Sequence, residues 1–152
     1  MRLSENCSLI LDPPVDINGG AIESPFVDMA EGKDLAVKIT TGAIAAGGEA
    51  AVTLVQDILG DGAGDKALAY TKHYAVTTAS EGDVPAEVAG ALTIGDTDDN
   101  KAFIIEVDAS QLDQSLDYRF VKAAVADPGE SCILGVELIL TKKRDVTASA
   151  ST

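Results

Sequence analysis

Ser131-Cys132-Ile133-Leu134-Gly135-Val136-Glu137-Leu138-Ile139-Leu140-Thr141-Lys142 is the stretch on which the fold turns. Leu134, Val136, Leu138 and Leu140 occupy every second position, so in an extended chain all four point to one face. A helix would spread the same residues at steps of about 100° round its axis and would bury no coherent stripe. Residues 131–142 therefore read as a strand with one face in a core.

Working back towards the N-terminus, the same alternation recurs. Residues 116–125 set Leu116, Tyr118 and Phe120 against Asp117 and Arg119, and Asp127-Pro128-Gly129 supplies a turn before the last strand. Residues 101–107 set Phe103, Ile105 and Val107 against Ile104 and Glu106. Between these two strands, residues 108–114 read as a connector with one helical turn capped by Asp108 or Ser110. Further strands are expected over 34–40, 51–58, 67–76 and 91–94, with Leu68, Tyr70 and Tyr74 on one face of the third and Thr71 and His73 on the other. The links at 42–48, 60–65, 81–85 and 95–100 are rich in Gly, Asp and Pro. About seven or eight strands with no sustained helical period predict an all-β domain, a jelly-roll-like β-sandwich. Residues 1–33, broken by Pro13-Pro14, Gly19-Gly20 and Pro25, read as an irregular N-terminal arm in which 8–11 could form an edge strand. The sandwich is expected over 34–145, and 146–152 as a flexible C-terminal tail.

Composition narrows the function classes. The chain has 152 residues, enough for one domain with a real core. Three Phe, three Tyr and no Trp leave that core to Val, Ile and Leu and argue against a sugar-stacking platform. A net charge of −14, from 25 acids against 11 bases, argues against nucleic-acid binding, which needs clustered Lys and Arg. No run approaches the roughly 18 apolar residues of a membrane span, and the N-terminus carries no long apolar leader. The chain therefore reads as soluble and made in the cytosol.

The candidate chemical motifs each fail at a definite residue. His73 is the sole histidine, and no GxSxG elbow offers it a nucleophile, so it reads as an ordinary strand residue. Cys7 and Cys132 have no zinc or CxxC spacing and read as free, partly buried thiols, with a disulfide between them as the alternative. Gly60-Asp61-Gly62-Ala63-Gly64 has glycines spaced like a dinucleotide loop, but a strand follows where a helix would be required. Asp96, Asp98 and Asn100 match the first three ligand positions of a calcium loop; Lys101 then stands where the loop needs Gly, and Val107 where it needs Glu. A solvated acidic turn is the reading this favours, with a looser calcium site as the functional alternative. No metal or cofactor is expected, and no carboxylate pair is marked out for catalysis, so no enzymatic activity is expected either.

Several segments together resemble the capsid decoration (cement) or head-accessory proteins of tailed bacteriophages. They are Ser24-Pro25-Phe26-Val27-Asp28-Met29-Ala30 followed by a strand and Thr41-Gly42-Ala43-Ile44-Ala45-Ala46-Gly47, Val52-Thr53-Leu54-Val55-Gln56 with the loop Gly62-Ala63-Gly64-Asp65-Lys66-Ala67-Leu68, Phe103-Ile104-Ile105-Glu106-Val107-Asp108-Ala109-Ser110-Gln111-Leu112-Asp113, Tyr118-Arg119-Phe120-Val121, and the last strand from Cys132 to Thr141. Their order and spacing span about residues 22–145. The resemblance implies a structural virion protein on the outer surface of the capsid, with the major capsid protein as partner. It implies a homo-oligomer, a trimer favoured, with no catalytic site. Competing readings are a carbohydrate- or receptor-binding β-sandwich module and a tail or connector component.

Overall fold

The computed structural model describes residues 7–30, 33–76 and 84–142, with side chains from Pro14 to Thr141 within those ranges. The strands are β1 (Cys7–Asp16), β2 (Ile22–Glu23), β3 (Val27–Asp28), β4 (Lys33–Ile44), β5 (Glu49–Asp57) and β6 (Lys66–Leu68). They continue with β7 (Lys72–Val76), β8 (Ala86–Ala89), β9 (Thr93–Gly95), β10 (Ala102–Asp108), β11 (Phe120–Val125) and β12 (Cys132–Lys142). Two short 3₁₀ turns, Ala109–Gln111 and Gln114–Leu116, join β10 to β11.

Every pairing is antiparallel. One sheet runs β1-β12-β4-β10-β7-β8 and the other β2-β11-β5-β6, with β3 added to β11 and β9 to β5. The two sheets make a β-sandwich, as the alternation predicts. Its core is the set of inward residues from both: Leu35, Val37 and Ile39 of β4, Phe103, Ile105 and Val107 of β10, and Leu134, Val136 and Leu138 of β12 on one side. Val52 and Leu54 of β5 face them, with Val121, Ala123 and Val125 of β11. The excess over seven or eight strands comes from segments two to four residues long, too short to show an alternation in sequence.

The described residues of the stretch expected to be an irregular arm are woven into both sheets, and 1–6 and 31–32 lie outside the described residues. β1 forms the edge of the first sheet, paired to β12 with a register shift between Asp12 and Val15. Pro13 and Pro14 occupy that shift, and an edge strand accommodates them because the missing N–H groups break no second ladder. β2 and β3 pair with β11 in the other sheet. The expected tail, 146–152, lies outside the described residues.

Two strands differ from expectation in phase. Residues 67–76 are not one strand: β6 belongs to the second sheet and β7 to the first. The chain crosses between them at 69–71, where the Tyr70 hydroxyl donates to the Val52 carbonyl (2.7 Å) and accepts from the Leu92 N–H (2.9 Å). Crossing to the facing sheet reverses which direction is inward, so Leu68 and His73 are both buried. In 116–125, the second 3₁₀ turn and a left-handed Asp117 (φ 58°) precede the strand. The phase resets, Val121, Ala123 and Val125 take the core, and Leu116 is exposed.

Candidate functional site

The sandwich has two ends of different character. At the first, the β4–β5 turn, the β9–β10 turn and the β11–β12 turn meet. The acidic residues of 96–100 act there as backbone clamps. Asp96 accepts from the Gly47 N–H (2.8 Å), and Asp99 from the Ile44 N–H (2.7 Å). Asp98 accepts from the Gly95 N–H (2.9 Å) and pairs with Lys101 (2.8 Å). Asn100 donates its backbone N–H to the Gly42 carbonyl (3.1 Å) from a left-handed conformation, φ 54°, which Asn tolerates better than most residues. Asp96, Asp98 and Asn100 are thus close in sequence, but their described bonds diverge: Asp96 reaches Gly47, Asp98 stays on Gly95 and Lys101 of its own turn, and Asn100 bonds Gly42 of β4 through its backbone. Among the described residues, no group of three or more His, Cys, Asp or Glu is placed to hold a metal ion.

His73 is 6% exposed, with Nδ1 3.1 Å from the Gly90 carbonyl oxygen and its ring edge-on to Phe103. That setting orients the imidazole as a packed core group between β7 and β10. Cys132 is a buried free cysteine, and burial pushes its thiol pKa up, away from the reactive thiolate. Cys7 stands opposite Thr141, nine positions along β12 from Cys132, a separation of about 30 Å on strand geometry. No bridge between the two cysteines of one chain spans that distance.

The second end is built by 57–64, the β3 region and the β10–β11 connector. Asp57 ends β5 with its side chain inside the loop, 1% exposed. Its carboxylate accepts from the backbone N–H groups of Ile58 (2.7 Å) and Gly62 (2.8 Å), with those of Gly60 and Asp61 also facing it. Burial pushes this carboxyl up, but the converging N–H groups outweigh it and hold the pKa below the usual aspartate value. Gly60 (φ 74°) lies on the Phe120 ring so closely that a Cβ would sit 2.9 Å from it. The loop consequently folds over the outer face of the second sheet and presents Ile58 and Leu59 to solvent.

The connector is held as firmly. Asp108 and Gln111 form a capping box, as the sequence suggests for Asp108. The Asp113 N–H donates to the buried Gln56 side chain (2.8 Å). The Asp113 carboxylate caps the next turn, and the Lys66 ammonium (2.6 Å) with the Ser115 groups lowers its pKa to about 2. Arg119 clasps Asp28 (2.6 Å) across to β3. Between these parts opens a concavity of about 760 Å³, lined among others by Met29, Ile58, Leu59, Leu112, Tyr118 and Arg119. A second, of about 700 Å³, lies near Lys72, Glu106 and Ile139. Sequence reading passed over Asp57 and the exposed pair after it; the signal was there, two large apolar residues running directly into a glycine-rich loop.

No protein family matches the chain, and no curated protein matches it. Among solved structures, it is similar to that of infectious bursal disease virus, Gt strain, with a TM-score of 0.24 and 10% identity over 95% of this chain and 43% of that one. It is similar also to the VP2 subviral particle of infectious bursal disease virus, with a TM-score of 0.19 and 9% identity over 89% of this chain and 41% of that one. The chain spans less than half the length of either, and superpositions of that score carry no argument about fold or function.

Proposed function

We propose that the chain is a structural protein of a virus particle, and specifically a decoration protein that seats on the outside of a tailed-phage head and braces neighbouring capsomers. The observation that carries the reading is where the resemblance falls on the fold. Val52-Thr53-Leu54-Val55-Gln56 lies within β5, 103–107 within β10 with its capped connector, Phe120-Val121 opens β11, and 132–141 falls in β12. The remaining segments, 41–47 and 62–68, fall on the end of β4 with its turn to β5 and on β6 with the loop before it, so the likeness runs through strands and connections of both sheets. An acidic, Trp-free sandwich suits the role. Its charge keeps the protein in solution before docking and steers it to a basic patch on the shell. The work is mechanical and calls for no catalytic group or cofactor. The partner is the major capsid protein, and self-association as a trimer belongs to the same proposal.

The test is cosedimentation of the purified protein with heads of the phage that encodes it, before and after expansion. Saturable binding to expanded heads, and presence of the chain in purified virions, is the expected result. Absence from virions together with no binding overturns the reading.

A further inference from the structure

We propose that Asn18 is a modification site, whose side-chain amide is lost spontaneously through attack by the Gly19 backbone nitrogen, with water as the only co-reactant. The site lies in the turn that carries the chain from β1 in the first sheet to β2 in the second, and it is independent of the decoration reading.

The reaction needs a free carboxamide, a free N–H on the next residue and a backbone that can bring one onto the other. The turn at 17–20 supplies all three. The Gly20 N–H donates to the Ile17 carbonyl (3.1 Å), Gly19 has φ 74° and Asn18 is not left-handed, which is a type II turn with Asn18 and Gly19 at its corner. Both corner residues are exposed. The Asn18 N–H donates to the Asp16 carboxylate (3.2 Å), but among the described residues neither the Asn18 carboxamide nor the Gly19 N–H has a protein partner. No heavy atom beyond the chain neighbours lies within 4 Å of where a Cβ of Gly19 or Gly20 would stand, so the corner is in open space, and glycine turns to either sign of φ.

The fold blocks the same chemistry at comparable places. In Asp61-Gly62, the Gly62 N–H is held by Asp57 (2.8 Å) and the Asp61 carboxylate accepts from the Ala63 N–H (2.9 Å). After Asn100, the Lys101 N–H donates to the Thr41 hydroxyl (2.9 Å), so the attacking nitrogen is already engaged.

At Asn18, hydroxide takes the Gly19 amide proton and the nitrogen bonds to Asn18 Cγ. The Cγ–Nδ2 bond breaks, Nδ2 takes a proton from water and leaves as ammonia, hydroxide is regenerated, and a five-membered imide remains. Water then opens the ring. Breaking the bond from Gly19 N to Cγ leaves aspartate; breaking the bond from Gly19 N to the Asn18 carbonyl carbon leaves isoaspartate, with the main chain rerouted through Cγ. The balance is one water consumed and one ammonia released. Either product puts a new negative charge two residues from Asp16, whose carboxylate holds the Ser131 hydroxyl (2.8 Å) and the Cys132 N–H (3.2 Å) at the start of β12.

The experiment incubates the folded protein at about pH 7 and about pH 8.5 and follows each Asn by peptide mass spectrometry, with Asn18→Gln alongside. Residue 18 is expected to gain about 1 Da, faster at the higher pH, as a mixture of aspartyl and isoaspartyl peptides, and at least about tenfold faster than Asn100. Asn18→Gln, which would need a six-membered ring, is expected to lose the acidic band that the wild type develops on isoelectric focusing. Equal rates at Asn18 and Asn100 would overturn the proposal. So would an aspartyl product alone, which is the mark of direct hydrolysis, or loss of the Asn18 amide in urea with none in the folded protein.

Discussion

Asp57 is a carboxylate facing the backbone N–H groups of Ile58, Gly60, Asp61 and Gly62, so one side chain satisfies a loop that has no ladder partner of its own. Its pKa is lowered in the folded state, so the stability it contributes is present above the unfolded value of 3.8 and is lost as pH falls through the folded value. Asp57→Asn is therefore expected to lower the melting temperature at pH 7, with the gap to wild type closing as the pH is taken below about 4. Thermal melts of both proteins from pH 3 to 7 check this, and a gap that widens in acid would contradict it. Asn100 makes a second residue-scale case. Its presence in the acidic turn is explained by φ 54°, a backbone requirement, with no ligand needed. Asn100→Gly should be close to neutral, and Asn100→Val should cost about 1–2 kcal/mol in a denaturant titration.

At the scale of elements, β4, β10 and β12 were legible because their alternation runs unbroken and each has one buried face. The two regions read in the wrong phase share one cause: something local resets the alternation without leaving a mark in hydrophobicity. Between Leu68 and Lys72 it is a crossing to the facing sheet, and at Leu116 it is a 3₁₀ turn closed by a left-handed Asp. The edge strand expected at 8–11 is present, and only its extension to Asp16 went unread, since Pro13-Pro14 argues against a strand everywhere except at a sheet edge or bulge. The corrected phase has a direct consequence. Leu116→Asp is expected to change stability by less than about 0.5 kcal/mol, whereas Val121→Asp buries an unpaired charge at a position 0% exposed and should leave the protein unfolded. Circular dichroism of the two variants decides between this phase and the reverse. The same limits held for the site. Acidic residues at 96–100 stood out in sequence, but only the fold shows Asp96 and Asp99 bonded to the β4–β5 turn. Asp57 looked like any other acid.

On the scale of the whole molecule, the sandwich sets the turns clamped by Asp96, Asp98 and Asp99 opposite the end built by the Asp57 loop and the β10–β11 connector. β1 lies against β12, so the first and last described strands close the same sheet. The outer edges of that sheet are β1, with its prolines, and the short β8, whose four residues are all exposed. Short or proline-bearing edges resist uncontrolled strand addition. Calorimetry of expanded heads with and without the added protein tests the central claim most directly. A ligand that binds only the intact shell must raise its melting temperature with concentration, until the sites are full. The account predicts that upward, saturable shift; heads that melt at the same temperature with the protein in excess would contradict it.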